Sequence, residues 1–248
     1  MSFTRTRSYH HGDLRAELLQ RAEATLRESG VDGLSLRRLA RDIGVSHAAP
    51  TRHFRDKQAL IDALAVAGFE RLAAALEKST ALEKSTAFEK LATATELASD
   101  EHLPALADPG EDACFAGPMR ALAGAYLRFA TENPALLALM FARRHNSPAA
   151  GDAMAYAADR AIATPVELIT AAQRRGEVIA GDPRRLALTW VAALQGLATF
   201  LGSGLVAPSA ADEWLDETLT HVMLGLRPRP EPGRGPESNP ARETALDR

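Results

Sequence analysis

Cysteine is nearly absent from this chain. Cys114 stands alone among 248 residues, so no disulfide can close within it. A small buried or loop thiol in a reducing compartment is the reading that fits. Aromatic residues make up only 5% of the chain, and β-branched residues are sparse as well. No run alternates apolar and polar residues for long enough to form a strand, which excludes a sheet-based fold and leaves an all-α one. No apolar stretch approaches the length that spans a bilayer, and no signal peptide opens the chain. A cytoplasmic protein with no membrane partner is therefore expected. Catalytic signatures are missing too. There is no phosphate-cradling glycine loop, no GxSxG elbow and no HExxH, and acidic pairs such as Asp152 and Asp159 read as solvated helix faces. His10 and His11 are adjacent, so a helix cannot turn both to one metal, and no Cys or His partner stands at ligand spacing. Neither an enzyme, a cofactor nor a metal is expected.

What the chain does hold is concentrated in residues 35–54. Ser35 is a good N-cap, and Leu36, Leu39, Ala40 and Ile43 recur at helical spacing. Gly44 offers the positive φ that ends a helix. Val45 plugs the angle that follows, and Ser46 is placed to cap a second helix. Two short helices joined by a tight turn make a helix-turn-helix, whose second helix can enter a major groove. An ordinary αα-corner has the same local pattern. The flanks favour the first reading. An amphipathic helix, carrying Leu14, Leu18, Ala22 and Leu26 and stopped at Ser29-Gly30, precedes the motif, and a long helix starts near Lys57 after it.

Charge is unevenly distributed. Residues 1–60 hold eleven Lys and Arg against seven Asp and Glu, a balance of +4, so the remainder carries −7 to reach −3 overall. A basic head on an acidic body is the footprint that phosphate recognition requires.

The order of these elements resembles the tetracycline-repressor (TetR) family of bacterial transcription regulators. The matching residues are Gly33-Leu34-Ser35-Leu36-Arg37-Arg38-Leu39-Ala40, Gly44-Val45-Ser46, His53-Phe54, and Lys57 with Leu60. The resemblance spans about residues 9–70. One departure stands out: most of the family has Leu-Tyr where this chain has Pro50-Thr51. That tyrosine usually touches a phosphate, and a threonine reaches less far. Proline also removes an N–H from the first turn of the second helix. A subgroup with a similar opening (Tyr9 to Arg15) and a His-Ala-Ala-Pro segment (His47 to Pro50) is also similar to this chain. That subgroup carries a Trp-His-Gly signature in its ligand-binding domain. Here Trp190 precedes Gln195-Gly196, with glutamine in place of histidine and one residue more of separation.

The expected organisation is a disordered basic arm (1–8), a three-helix DNA-binding domain (9–56), a helical ligand-binding and dimerisation domain (57–226) and a disordered Pro-rich tail (227–248). Helices are expected at about 13–29, 36–43 and 47–53, from Lys57 past Lys78, and at 118–132, 134–146, 152–175, 183–203 and 211–226. Pro118, Pro134 and Pro183 suit first turns, and Asn133 and Asp182 suit caps. Residues 98–118, rich in Pro, Gly and acids, read as a connection with a short turn around His102 to Leu106. Ala75 to Thr80 is repeated unchanged at Ala81 to Thr86, and in part at Ala87 to Lys90. Six residues turn a helix through about 600°, so copies cannot share one face. The repeat reads as a duplicated insertion that lengthens the helix or loops out.

His47, Ala48 and Ala49 would open the recognition helix and face base edges. The resemblance assigns Arg37 to a guanine or a phosphate. It makes Ser35, Ser46, Thr51, Arg52, His53 and Lys57 phosphate candidates. In the second domain the candidates around an effector are Phe115, Met119, Tyr126, Phe129, Phe141, His145, Tyr156, Trp190 and Gln195, although core packing explains apolar stripes equally well. The last two helices carry more apolar surface than one terminal pair needs, which suits a four-helix dimer. The implied partners are double-stranded operator DNA, a small, largely apolar effector and a second copy of the chain. The implied activity is ligand-responsive repression. Alternatives are a regulator of this fold governed by a protein partner, and a helical small-molecule-binding protein or enzyme with no DNA role.

Overall fold

The computed structural model describes residues 11–97, 113–142 and 151–228. Eight α-helices account for nearly all of it: α1 (His11–Ser29), α2 (Leu36–Asp42), α3 (Lys57–Leu97), α4 (Ala113–Glu132), α5 (Pro134–Phe141), α6 (Gly151–Arg175), α7 (Pro183–Gly202) and α8 (Ala211–Leu226). No strand occurs among the described residues. The expected basic arm, the turn around His102 to Leu106, His145 and the end of the tail lie outside the described residues.

The first three elements pack on the start of α3. Leu14, Leu18, Ala22 and Leu26 form the buried stripe of α1, and Leu39, Phe54, Leu60 and Leu64 meet it. Gly30, at φ 67°, ends α1 as its position after Ser29 suggested. Beyond this head, α3 packs chiefly on α6, α4 and α5. One apolar cluster runs unbroken from Leu14 to Leu226.

The tandem repeat lengthens α3, which continues as one helix of 41 residues. Leu76 is buried and Leu82, one hexad on, is 64% exposed. The rotation of about 600° per copy thus puts equivalent residues on different faces. Ser79 Oγ and Thr80 Oγ1 donate back to the Leu76 and Glu77 carbonyls.

Several expectations need correcting. Pro118 lies inside α4, not in its first turn, because the helix begins at Ala113. The buried stripe of Phe115, Met119, Leu122 and Tyr126 crosses the proline without a break. Burying Phe115 is worth about 2 kcal/mol, of the same order as the bond the proline removes. Pro165 sits inside α6 likewise. Asn133 precedes α5 but does not cap it. Its Nδ2 donates to the Phe129 carbonyl, and its Oδ1 accepts from Arg71 Nη2 at 2.9 Å. Asp182 does cap α7, accepting from the Arg184 N–H at 2.9 Å. By length and composition α7 is apolar enough to cross a membrane, contrary to the sequence estimate. Its inward stripe of Ala187, Trp190, Leu194 and Leu197 packs in the core.

Gly68 lets α3 pack closely on the side chains of α5. A Cβ there would lie 2.7 Å from Met140 Sδ and 3.3 Å from Leu136 Cδ1 of α5. Gly68→Ala should therefore lower stability by on the order of 1 kcal/mol. Overpacking of about 1–3 kcal/mol outweighs a helix-propensity gain of about 1 kcal/mol. Gly196→Ala, which meets open space, should keep that gain. Chemical denaturation of the two variants gives the comparison, and equal midpoints would contradict it.

Candidate nucleic-acid interface and cavity

The turn after α2 is fixed by three backbone features. Gly44 adopts φ 75°, its N–H donates to the Arg41 carbonyl at 3.2 Å, and the Val45 N–H donates to the Ala40 carbonyl at 2.9 Å. This paired arrangement is a Schellman termination, and Val45 packs against the core beside it. The exit direction of the chain is thereby set.

The segment that follows differs from the expected helix over 47–53. His47 to Ala49 form a turn, and Pro50–Arg52 form a single turn of 3₁₀ helix. Its bonds are mostly short-ranged: Ala49 N–H to Ser46 O, Arg52 N–H to Ala49 O, and His53 N–H to Pro50 O. Pro50 has no N–H to give to Ser46, which removes the bond that would make the first turn α-helical. The proline is buried, and Phe54 beneath it is 2% exposed. The segment is anchored through those two residues while His47, Ala48, Thr51 and Arg52 stay exposed and Ala49 and His53 are half-buried.

The expected caps and phosphate donors are placed unevenly. Ser35 stands at the N-cap of α2 in extended backbone but makes no side-chain cap bond; its carbonyl takes the Leu39 N–H. Ser46 likewise contributes its carbonyl, and its side chain is exposed. Thr51 Oγ1 donates to the Ala48 carbonyl at 2.8 Å, so its proton is already committed. Lys57 Nζ donates to the Asp32 carbonyl at 3.4 Å. The first turn of α3 is already occupied by Asp56, whose Oδ1 accepts from the Ala59 N–H at 2.7 Å. An anion at that terminus would meet a carboxylate, against the sequence expectation for Lys57.

The arginines sort into two groups. Asp42 takes Arg21 at 3.0 Å and Arg38 at 3.9 Å, and Arg21 also faces Glu28. Arg27 pairs with Glu23. Arg15 lies over the Phe54 ring, 5.6 Å from its centroid. Arg37, Arg41 and Arg52 are exposed and form no ion pair among the described residues. Arg37 and Arg41 are four residues apart on α2, about 40° apart in helical projection. Arg41 was missed in the sequence, and the i, i+4 spacing from Arg37 is the signal that would have found it.

A cavity of about 460 Å³ opens in the second half of the molecule, a size usual for small-molecule sites. Its walls come from α3 (Phe69, Leu72, Leu76), α4 (Tyr126), α5, α6 (Met154, Ala158, Ile162) and α7. Of the candidates, Tyr126, Phe141 and Trp190 line it. Phe69 and Phe141 meet edge to face with centroids 5.6 Å apart. Gln195 stands behind the wall, where its Oε1 accepts from the Tyr126 hydroxyl. Burial raises the Tyr126 phenol well above its ordinary range, so it stays protonated. Five candidates are elsewhere or undescribed. Phe115 and Met119 belong to separate grooves against α8, because they lie two to three turns before Tyr126 on α4. Phe129 is buried under the Arg71 guanidinium, 5.8 Å from the ring centroid. Tyr156 is 69% exposed on the outer face of α6. His145 is outside the described residues. The α3 wall was missed, although Phe69, Leu72 and Leu76 stand at i, i+3 and i+7.

Arg71 ties the two regions. Its Nη1 meets Glu23 of α1 at 2.7 Å, and its Nη2 meets Asn133 at 2.9 Å.

Comparison with known proteins decides the affiliation. Residues 18–64 match the model described as bacterial regulatory proteins of the tetR family. Residues 119–222 match the tetracyclin repressor-like C-terminal domain. The chain belongs to the tetracycline-repressor family. A structure of a protein of unknown function from Rhodococcus sp. RHA1 is 39% identical, covers 90% of this chain and 100% of its own, and superposes with a TM-score of 0.69. An HTH-type transcriptional repressor of Mycobacterium tuberculosis is 41% identical over 69 residues, 28% of this chain and 37% of that protein. The class A tetracycline repressor protein from transposon 1721 in Escherichia coli is 57% identical over 42 residues, 17% of this chain and 19% of that protein. The two alignments thus span little more than a third and just under a fifth of those relatives.

The family's reading head here depends on Gly44. Gly44→Ala should cost about 1–2 kcal/mol, because an alanine at positive φ is strained, and Gly44→Asn should cost less. Thermal unfolding checks the order; equal melting temperatures for Ala and the parent would show that the turn is not held at positive φ.

Proposed function

We propose that this protein is a homodimeric, ligand-responsive repressor of the cytoplasm. It binds a palindromic operator and is released from it by a small, largely apolar effector. The observation that carries the DNA reading is the turn His47–Ala49, with His47 and Ala48 exposed, held by the buried Pro50 and Phe54 and flanked by Arg37, Arg41 and Arg52. In this reading His47 meets a purine edge and the Ala48 and Ala49 methyls meet thymine methyls. Arg37, Arg41 and Arg52 take phosphates, with Ser35, Ser46, His53 and a Lys57 that leaves the Asp32 carbonyl as secondary contacts. Thr51 serves chiefly to hold the turn.

Two copies are needed because a two-fold operator presents half-sites about 34–36 Å apart. Support for a dimer through α7 and α8 comes from large apolar side chains that the chain leaves outside: Phe200 at 44%, Trp214 at 45% and Leu224 at 54% exposure. Leu197, by contrast, is buried in its own chain and cannot serve a partner.

Operator affinity should fall steeply with salt, since each neutralised phosphate releases counterions. Arg52→Ala should weaken binding to every sequence and reduce the log–log salt slope by about 1. His47→Ala should instead narrow the gap between operator and unrelated DNA. Titration of the DNA upstream of the gene at several salt concentrations reads both effects. A salt-independent affinity would refute phosphate-led binding.

The double variant Phe200→Glu/Leu224→Glu should sediment as a monomer and lose operator binding by at least about 100-fold, since two half-site contacts no longer act together. An unchanged mass would place the interface elsewhere.

A further inference from the structure

The polar groups of the cavity show which effectors it can hold. Trp190 is fully buried in the cavity wall. Its indole Nε1–H, which can only donate, has no acceptor among the described residues. A buried donor without a partner is costly to keep. The other buried polar group in the wall is committed, because the Tyr126 hydroxyl donates to Gln195 Oε1. Arg184, at the rim, is about half exposed and paired with Asp159. It offers a solvated, already neutralised cation in place of a fixed anchor for an anion. No carboxylate is among the described lining residues, so none of them compensates the desolvation of a cationic ligand. The remaining walls are hydrocarbon, aromatic rings and thioether sulfur from Phe69, Leu72, Met140, Phe141, Met154 and Ile162.

We infer that the effector is an uncharged, apolar molecule bearing a hydrogen-bond-accepting oxygen, of carbonyl type, which seats on the Trp190 indole N–H. The inference rests on the effector-cavity part of the proposed function. It narrows the ligand to acceptors and excludes cations.

Three probes of nearly equal shape test it on the full-length protein: 2-acetylnaphthalene, its isostere 2-isopropenylnaphthalene, and the ammonium form of 1-(2-naphthyl)ethylamine. Binding is followed by displacement of a fluorescent naphthalene sulfonate. It is also followed by the indole ¹H–¹⁵N resonance of Trp190, assigned with Trp214→Phe since the chain has two tryptophans. The acetyl compound should bind about five- to tenfold more tightly than the isopropenyl one, the worth of one buried neutral hydrogen bond. It alone should move the Trp190 indole proton downfield, and the ammonium compound should bind weakest. Trp190→Phe should equalise the first two probes. Equal binding of the two neutral probes by the parent protein, an unmoved indole resonance, or tightest binding of the ammonium compound would overturn the inference while leaving the cavity as a ligand site. If none of the three binds, the effector-cavity reading falls and this inference with it. The comparison of neutral probes and the resonance are both read on protein with Trp190 in place, so they stand even if Trp190→Phe fails to fold.

Discussion

The unbroken backbone ladder of α3 is the constraint on which the rest of the molecule depends. Its first turns, through Leu60, Ile61 and Leu64, form the floor under α1 and the recognition turn. Its next turns, through Phe69, Leu72 and Leu76, form a wall of the cavity. From Leu60 to Leu72 the axial rise is about 18 Å, and no proline interrupts it. A helix this regular transmits displacement as a rigid rod does. Under the ligand-responsive reading, movement at the cavity wall would be carried along this helix toward the head. Arg71 opposes slip of α1 on α3 by holding Glu23 on one side and Asn133 on the other. Its ion pair is partly exposed and adds little stability of its own. What it supplies is geometry: three elements fixed to one planar, five-donor group.

Sequence carried the helices well because apolar spacing reports burial directly. The stripe Leu14, Leu18, Ala22, Leu26 needed no tertiary information, and neither did the stops at Gly30 and Gly44, where positive φ is a local requirement. Prolines were less legible. The N–H that Pro50 lacks was visible, but the resulting 3₁₀ turn depends on Pro50 and Phe54 being buried together, which is a tertiary fact. Local preference places Pro118 at a helix start, and the burial of Phe115 before it outweighs that preference. The capping serines failed for a related reason. Ser35 has the right backbone and the right type, yet its side chain makes no cap bond, since an exposed hydroxyl gains little over water by making one.

The cavity was half legible. Tyr126, Phe141 and Trp190 were found because aromatic and polar residues stand out on apolar helices. Phe129 and Tyr156 stood out equally, and they face Arg71 and solvent respectively. Helical spacing gives a face but not which neighbour covers it. The α3 wall was hidden because Phe69, Leu72 and Leu76 look like any core stripe, and the cavity exists only where α3, α6 and α7 fail to close on one another. In the head, the arginine count signalled phosphate but could not say which arginines were spent on Asp42 and Glu23. That division needed the fold.

Under the ligand-responsive reading, the magnitudes are mutually consistent. An effector can shift the DNA equilibrium only by its difference in affinity for the two conformations, and that coupling is typically about 1–3 kcal/mol. Phe141 and Leu188, both at the cavity, remain 45% and 49% exposed. Covering half of one such side chain is worth about 1–2 kcal/mol of apolar burial. A closure that covers these two residues and tilts α5 against Gly68 therefore reaches the required size. Met140 and Leu136 already pack closely on α3 there, so a tilt of α5 toward α3 would press on it. The contact that would sense the ligand and the contact that would drive the head are then adjacent on one short helix. No longer chain of couplings is required.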